Sequence, residues 1–394
     1  MLRKSSRIDG MALSEIVAIS EAAARLRASG HDVLALSTGE PDFPTPPHVR
    51  KAATLAMQNG VTRYMPTSGM PALRKAVADT AGVAPANVIV STGAKQVLAN
   101  MFLATLDPGD EVVVPAPCWS SYFDMVALAG GETVKLRCGA EAGFKMTPEQ
   151  LEAAITPRTR WLLLNSPSNP TGAVYTAAEL AALGAVLTRH PHVWIASDEI
   201  YDLICYAPFT SFRQACPELA DRTMLINGVS KAHAMTGWRI GWGIAPPALI
   251  DAMTAVQGQV TSGACSIAQA AAVAAVTGDM QHIDDRRTAF RARRDYVVDA
   301  LNAIPGIDCP VPDGAFYVFP SCAGVLGHKT PDGTVLETDA DFCAHVLASA
   351  GLAIVPGRAF GLPGHFRLSY AYARSDLEEG CARLLRAVAV LTPN

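Results

Sequence analysis

Between about Val88 and Ala245 the chain repeats one pattern: a short β-branched or apolar run, a turn, then a longer Ala/Leu segment of helical period. The runs predict strands at Val88–Val90, Glu111–Val114, Thr133–Arg137, Trp161–Asn165, Val193–Ser197, Thr223–Asn227 and Arg239–Ala245. The segments between them predict helices that include Ala94–Leu106 directly after Gly93, Ser120–Ala129, and Ala177–Thr188 behind a Thr176 placed to cap it. Strands alternating with helices give an α/β fold around a mostly parallel sheet, and such sheets gather ligands outside the carboxyl ends of their strands. From about Gln281 the texture changes. An Arg-rich helix through Arg294 precedes Pro/Gly-punctuated, strand-like pieces at Ala315–Phe319, Ala353–Val355 and Phe366–Leu368, which predict a second, smaller α+β domain.

Composition narrows the field. Half of the 394 residues are hydrophobic and 17% are charged, material for a large core in one large or two moderate domains. Thirty-two Lys+Arg against thirty-six Asp+Glu leave a formal charge of -4, so neither a nucleic acid nor an anionic membrane is an expected partner. The most Ala-dense stretch, Ile267–Val276, is interrupted by Gln269 and falls short of the roughly 20 residues a membrane span needs, so it reads as a buried helix. Met1-Leu2-Arg3-Lys4 begins with charge, but no apolar region with a cleavage site follows, and the expected address is cytoplasmic. Nine scattered cysteines without a Cys-x-x-Cys pair suit reduced, buried thiols, and no metal site is expected.

A few polar residues sit where chemistry would. Lys231 is the sole lysine between Met146 and His328 and follows the predicted strand Thr223–Asn227. A lysine there can act as a Schiff-base nucleophile if its ammonium is partly desolvated, or it can be an ordinary solvated loop lysine. Asp198 ends another strand three residues before Tyr201. It suits holding a ring nitrogen protonated, with the phenol on a ring oxygen, or capping a helix. Asn165-Ser166-Pro167-Ser168-Asn169-Pro170-Thr171-Gly172 forms a tight polar loop at a third strand end. Ser91-Thr92-Gly93-Ala94-Lys95 leads from strand to helix, and its N–H groups make a natural phosphate cradle. Gly241-Trp242-Gly243 continues as Ile-Ala-Pro and is no dinucleotide fingerprint.

These pieces occur in order with Ser37-Thr38-Gly39-Glu40-Pro41-Asp42-Phe43, Arg63-Tyr64, Leu106-Asp107-Pro108-Gly109-Asp110-Glu111, Ser197-Asp198-Glu199-Ile200-Tyr201, Ser230-Lys231, Thr236-Gly237-Trp238-Arg239-Ile240-Gly241 and Arg367-Leu368-Ser369-Tyr370. Over nearly the whole chain the series resembles the pyridoxal-phosphate-dependent aminotransferases of class I/II, the aspartate aminotransferase family of fold type I, in its bacterial I-beta-like subgroup. The resemblance implies a large domain with a mostly parallel seven-stranded sheet. It sets residues 1–40 as an N-terminal segment packing with the small domain or a partner subunit, 41–280 as the large cofactor domain, and 281–394 as the small domain. Its implied cofactor is pyridoxal 5'-phosphate, bonded by Lys231, which then serves as the proton-transferring base. By the same resemblance Asp198 pairs with the ring nitrogen, Tyr201 and Asn169 hydrogen-bond the ring oxygen, and Trp119 stacks on the ring. The phosphate meets the backbone at Gly93, Ala94 and Lys95, the Ser230 hydroxyl, Arg239, and Tyr64 from a second subunit, which implies a homodimer.

The substrates implied are an L-amino acid and a 2-oxo acid, exchanged by ping-pong kinetics. Arg367, with Asn169 and the Gly39 backbone, is implied as the grip on the α-carboxylate, and Trp119 also borders the substrate. Lys95 in Gly93-Ala94-Lys95-Gln96 looks like the lysine that holds a distal carboxylate, making aspartate the leading donor and 2-oxoglutarate the acceptor. Against this, Ala12, Leu13 and Ile16 are apolar where the subgroup supplies a lysine and hydroxyls, leaving only Ser14. That weighs against prephenate and toward an aromatic or apolar donor. A pyridoxal C–S lyase would use Lys231, Asp198 and Tyr201 equally well. A DNA-binding regulator built on the fold would need a basic module that the sequence lacks.

Overall fold

The computed structural model describes residues 3–8, 11 and 15–393. Ala12, Leu13 and Ser14 lie outside the described residues, as does the Ile16 side chain, so the distal-pocket expectation placed on them has no structural counterpart here. In chain order the strands of the first two-thirds are β1 Leu34–Ala35, β2 Val88–Ser91, β3 Glu111–Ala116, β4 Glu132–Arg137, β5 Thr159–Asn165, β6 Trp194–Asp198, β7 Thr223–Gly228 and β8 Gly241–Ile244. Seven of these form one sheet in the order β2-β8-β7-β6-β5-β3-β4. Strand β8 runs antiparallel to both β2 and β7, and the remaining pairs are parallel. Ile89, Val90, Val112, Val113, Val114, Leu162 and Ile195 are each fully buried, as a parallel sheet covered on both faces by helices requires.

The predicted helices Ala94–Leu106, Ser120–Ala129 and Ala177–Thr188 are present as Ala94–Thr105, Ser121–Leu128 and Ala177–Thr188. Thr176 caps the last of these through a reciprocal box: its hydroxyl accepts from Glu179 N at 3.2 Å, and Glu179 Oε2 accepts from Thr176 N at 2.8 Å.

Three strand expectations need correction. The run Arg239–Ala245 is a strand only over β8, because Arg239 takes a left-handed φ of 57° and closes the turn Thr236–Trp238 instead of extending. The piece Ala315–Phe319 shrinks to β9 Tyr317–Val318, since Ala315 also has a φ of 57° and donates its N–H to Ile204 O. The piece Ala353–Val355 splits where the chain changes partner. Its first half is β10 Leu352–Ala353, parallel to β1, and its second is β11 Val355–Pro356, antiparallel to β12 Phe366–Ser369.

The Arg-rich helix is longer than its charged stretch, running Gln281–Asn302. Its apolar side carries Phe290, Val297 and Leu301 into a core with Phe316, Phe342, Leu352 and Leu368, which Leu36 and Tyr201 also enter. Its arginines tie this core to the large sheet. Arg286 donates to Ala232 O (2.9 Å) and Pro44 O (2.6 Å), and Arg293 forms a two-pronged pair with Asp42 (2.8 and 3.0 Å). All nine cysteines are free and all but Cys265 are buried. Among the described residues no helix is long and apolar enough to cross a membrane.

Where β8 enters the sheet it presses on the start of the helix Ala94–Thr105. A Cβ at Gly241 would lie 2.2 Å from Ala94 N and 2.6 Å from Gly93 C, both backbone atoms that cannot swing aside. Gly241→Ala should therefore destabilise the protein by about 1–3 kcal/mol in denaturant unfolding. Gly237→Ala, whose Cβ meets nothing within 4 Å, should stay within about 0.5 kcal/mol of the parent. Equal stability of the two variants would refute this packing account.

Candidate active site

At the carboxyl ends of β5, β6 and β7 a cavity of about 380 Å³ opens between the sheet and the smaller core. Gly39, Ala94, Lys95, Trp119, Asn169, Asp198, Tyr201, Ser230, Lys231, Arg239 and Arg367 all border it, so residues scattered over more than 300 positions converge.

Asp198 closes β6 and is 3% exposed. Its Oδ2 accepts from Tyr122 Oη at 2.7 Å and its Oδ1 from Ile200 N at 3.2 Å. Burial pushes its carboxyl up to about 6, with both hydrogen bonds and the Lys231 charge pulling the other way. Tyr122 is raised well above an ordinary phenol by burial and by the Asp198 charge, so it stays a donor. No helix starts at Asp198. Residues 200–203 form a turn, which removes the helix-cap alternative. One strand over, Asn165 accepts from Asn169 N (2.8 Å) and donates to Asp198 O (2.9 Å), pinning the proline-rich loop beside the carboxylate.

Lys231 reaches in from the loop after β7. Its Nζ donates to Gly39 O at 2.7 Å and lies 5.6 Å from the centroid of the Tyr201 ring. Burial, then the positive charges of Arg367 and Arg239, bring its amine down to about 8, against the opposing pull of Asp198 and Glu40. Opposite the amine, Tyr201 Oη and Tyr317 Oη share a hydrogen bond of 2.9 Å. A Cβ at Gly39 would sit 2.4 Å from Tyr317 Oη, so the glycine is what allows the strap 37–40 to close over these phenols.

The cavity floor is an anion cradle. Gly93, at φ 86°, turns the chain from β2 into the helix Ala94–Thr105. Its own N–H is taken by Ser91 O at 2.7 Å, and that of Thr92 by Gln96 Oε1 at 2.7 Å. The free first-turn donors are therefore those of Ala94 and Lys95. Gly93 contributes space: a Cβ there would lie 2.4 Å from Arg239 Nη2. Lys95 sits on the rim with Nζ 4.8 Å from the centroid of the Trp119 ring, and its ammonium is lowered by burial and by Arg239.

Arg367, on β12, is 2% exposed, which rules out a surface arginine. It donates to Asn169 Oδ1 (2.9 Å) and Ser37 O (2.5 Å) and stacks 4.5 Å from the Tyr317 ring centroid. Its Nε is buried with no partner among the described residues. Tyr64 stands apart from all of these. It is 94% exposed beside Thr62, Arg63 and the segment 261–267, away from its own chain's cavity. Sequence reasoning missed Tyr122, Asn165 and Tyr317, and also Glu40, which accepts from Thr236 Oγ1. Asn165 carried a readable signal, as the polar end of an apolar strand. The two tyrosines carried none, because at their spacing they look like core.

Residues 31–384 match the family model described as aminotransferase class I and II. The chain is 50% identical over 391 residues to an aspartate aminotransferase of Rhizobium meliloti (strain 1021), covering 97% of this chain and 95% of that protein. It is 50% identical over 379 residues to an aspartate/prephenate aminotransferase of Cereibacter sphaeroides, covering 94% and 95%. Among solved structures it is similar to an aspartate aminotransferase from Rhizobium meliloti, with TM-score 0.97, 49% identity and 100% of both chains covered. It is also similar to the Thermus thermophilus aspartate aminotransferase with maleate, with TM-score 0.91, 39% identity and 98% and 100% covered.

An amine is nucleophilic only when neutral, so the Lys231 environment has a direct readout. In cofactor-free protein its acylation rate should reach half of its plateau at about pH 8, where an ordinary lysine does so near 10.5. Peptide mass mapping across a pH series measures this. A midpoint for Lys231 no lower than that of the other lysines would contradict the burial argument.

Proposed function

The chain belongs to the class I and II aminotransferases, and from that premise we propose that it moves the amino group of L-aspartate to 2-oxoglutarate, using pyridoxal 5'-phosphate. One observation carries the reading: Asp198 and Lys231 face a single cavity between an anion cradle and a buried arginine with an unpaired N–H. The donor set suits this cofactor at each of its ends. The space that a Cβ at Gly93 would fill, beside Arg239, the Ala94 and Lys95 amides and Ser230, suits a phosphate. The buried Asp198 lacks an ion-pair partner among the described residues and suits a protonated ring nitrogen. Tyr201 and Asn169 are placed for the ring oxygen, and Trp119 for the ring face.

When bound, the cofactor supplies an electrophilic carbon for an amine and an electron sink for the pair left on the substrate Cα. The residues do the rest. Asp198, steadied by Tyr122 and Ile200, keeps the ring proton in place, and that cation in turn favours the charged carboxylate. Lys231 would hold the cofactor through its amine and, once free, would carry a proton from the substrate Cα; an amine near 8 is neutral often enough at neutral pH to do so. Arg367 and Asn169, with the Gly39 backbone, hold the α-carboxylate, and Lys95 across the cavity holds the distal one. A second copy of the chain brings its exposed Tyr64 to the phosphate, so the working unit is a cytoplasmic homodimer. Residues 41–280 form its large unit, and 281–394 close over the substrate with the segment 1–40 and exclude water. The names of two 50%-identical relatives make prephenate the second oxo acid to assay.

The decisive experiment is a single-turnover titration of the cofactor-loaded protein with aspartate and no acceptor. Stoichiometric oxaloacetate with loss of the yellow absorbance is expected; no conversion with aspartate, but catalytic pyruvate, ammonia and thiol from an S-alkylcysteine, whose Cβ bears a thiolate leaving group, would assign the site to a lyase. Lys231→Ala should lower turnover about 10⁴-fold or more yet still bind the cofactor. Lys95→Ala should raise KM about tenfold for aspartate and leave alanine within about twofold. Equal losses for both would remove Lys95 from substrate recognition.

A further inference from the structure

Successive residues at the end of β6 point to opposite sides of the sheet, so Asp198 faces the cavity already described and Glu199 faces another. This second cavity, about 480 Å³, shares no lining residue with the first. Glu199 is 3% exposed. Its Oε1 accepts three hydrogen bonds, from Ser197 Oγ (2.8 Å), Ser211 Oγ (2.9 Å) and Phe212 N (3.0 Å). Its Oε2 accepts none from the described residues. Asp202 lines the same space, bonded only to Leu203 N (2.7 Å) and Asn227 Nδ2 (2.8 Å). Neither carboxylate forms an ion pair among the described residues.

One cation borders them. Arg213 lies on the wall, and its Nη1 is buried without a partner among the described residues. The neighbouring His233 contributes no charge, because burial and the charges of His282, Arg286 and His48 hold its imidazole down at about 3. The charges of Asp221, outside the cavity, and Glu199 both act on Arg213, so Asp202 and the open Oε2 of Glu199 face no further cation among the lining residues. Burial pushes Glu199 up to about 7, with a smaller contribution from the Asp202 charge, and burial alone pushes Asp202 up to about 6. A metal ion is a poor fit, since no group of three ligating side chains that could hold one exists among the described residues. The remaining wall is apolar and partly aromatic, with Trp242, Phe209, Leu203, Val276 and Met280.

We propose that this cavity binds a small organic ammonium ion carrying an aromatic or branched apolar group. The ion donates its N–H to the open Oε2 of Glu199, shares its charge with Asp202, and lays its apolar part against Trp242 and Phe209.

The probe is N,N-dimethylbenzylamine. It is protonated at neutral pH, has one N–H to donate, and as a tertiary amine cannot condense with the cofactor. Calorimetric titration of the cofactor-loaded protein, with succinate saturating the first cavity, should show one saturable site per chain. Glu199→Gln, which preserves the three hydrogen bonds to Oε1, and Asp202→Asn should each weaken binding about tenfold. Thr80→Arg, at the edge of the cavity and outside the Glu199 network, should abolish it by bringing in a like charge. The anion 3-phenylpropionate should not bind there. Absence of saturable binding, equal affinity in all three variants, or displacement of the amine by succinate would overturn the proposal. The readout is heat and not turnover, so failure here leaves the transamination assignment standing, and the reverse.

Discussion

A carboxylate buried at the end of a central strand, with hydrogen bonds but no ion-pair partner among the described residues, sets the terms for everything around Asp198. An isolated charge in such a place is costly, so the fold surrounds it with groups that already point inward. Tyr122 comes from the helix Ser121–Leu128, Ile200 N from the following turn, and Asn165 from the adjacent strand. Each is itself fixed by the sheet. Asn165 bonds the Asp198 backbone carbonyl and not its carboxylate, so the polar loop 165–172, which carries Asn169, is fixed to the strand end that presents the carboxylate.

Positive charge is distributed with the same economy. Lys231, Arg239 and Arg367 border one space, and mutual repulsion adds to burial in lowering the lysine. Like charges held this close are tolerated because each has an oxygen to face: Gly39 O for Lys231, Thr236 O for Arg239, and Asn169 Oδ1 and Ser37 O for Arg367. The result is a site preorganised for anions at two ends, with a reactive amine between them.

The central sheet was legible because its strands are continuous β-branched and apolar runs, and the helix boundaries because Gly93 and Thr176 mark them chemically. Strand ends were misjudged at Arg239 and Ala315, whose left-handed backbone is imposed by tertiary contacts and leaves no trace in residue type. The site residues read from motifs line the cavity, except Gly93, which packs behind its floor against Arg239, and Tyr64, which is 94% exposed away from it. Tyr122 and Tyr317 were invisible because a buried aromatic on a helix or strand face is ordinary core until its hydroxyl partner is known. The distal pocket was argued from Ala12, Leu13 and Ser14, outside the described residues, while relatives at similar identity carry prephenate in their names.

The pairing of β1 with β10 means that the backbone passes between the two halves twice: once after Leu36, and again ahead of the helix Gln281–Asn302. A body attached at one point can swivel in any direction. Attached at two, it keeps a single easy rotation, about the line joining the crossings. The strap carrying Gly39 follows the first crossing and meets the loop carrying Lys231 through a 2.7 Å hydrogen bond, whereas Arg367 lies on β12 beyond the second crossing. Arg367 bonds both Ser37 O on that strap and Asn169 Oδ1 beside the large sheet, so a rotation between the halves would have to break or re-form the arginine's contact with Asn169.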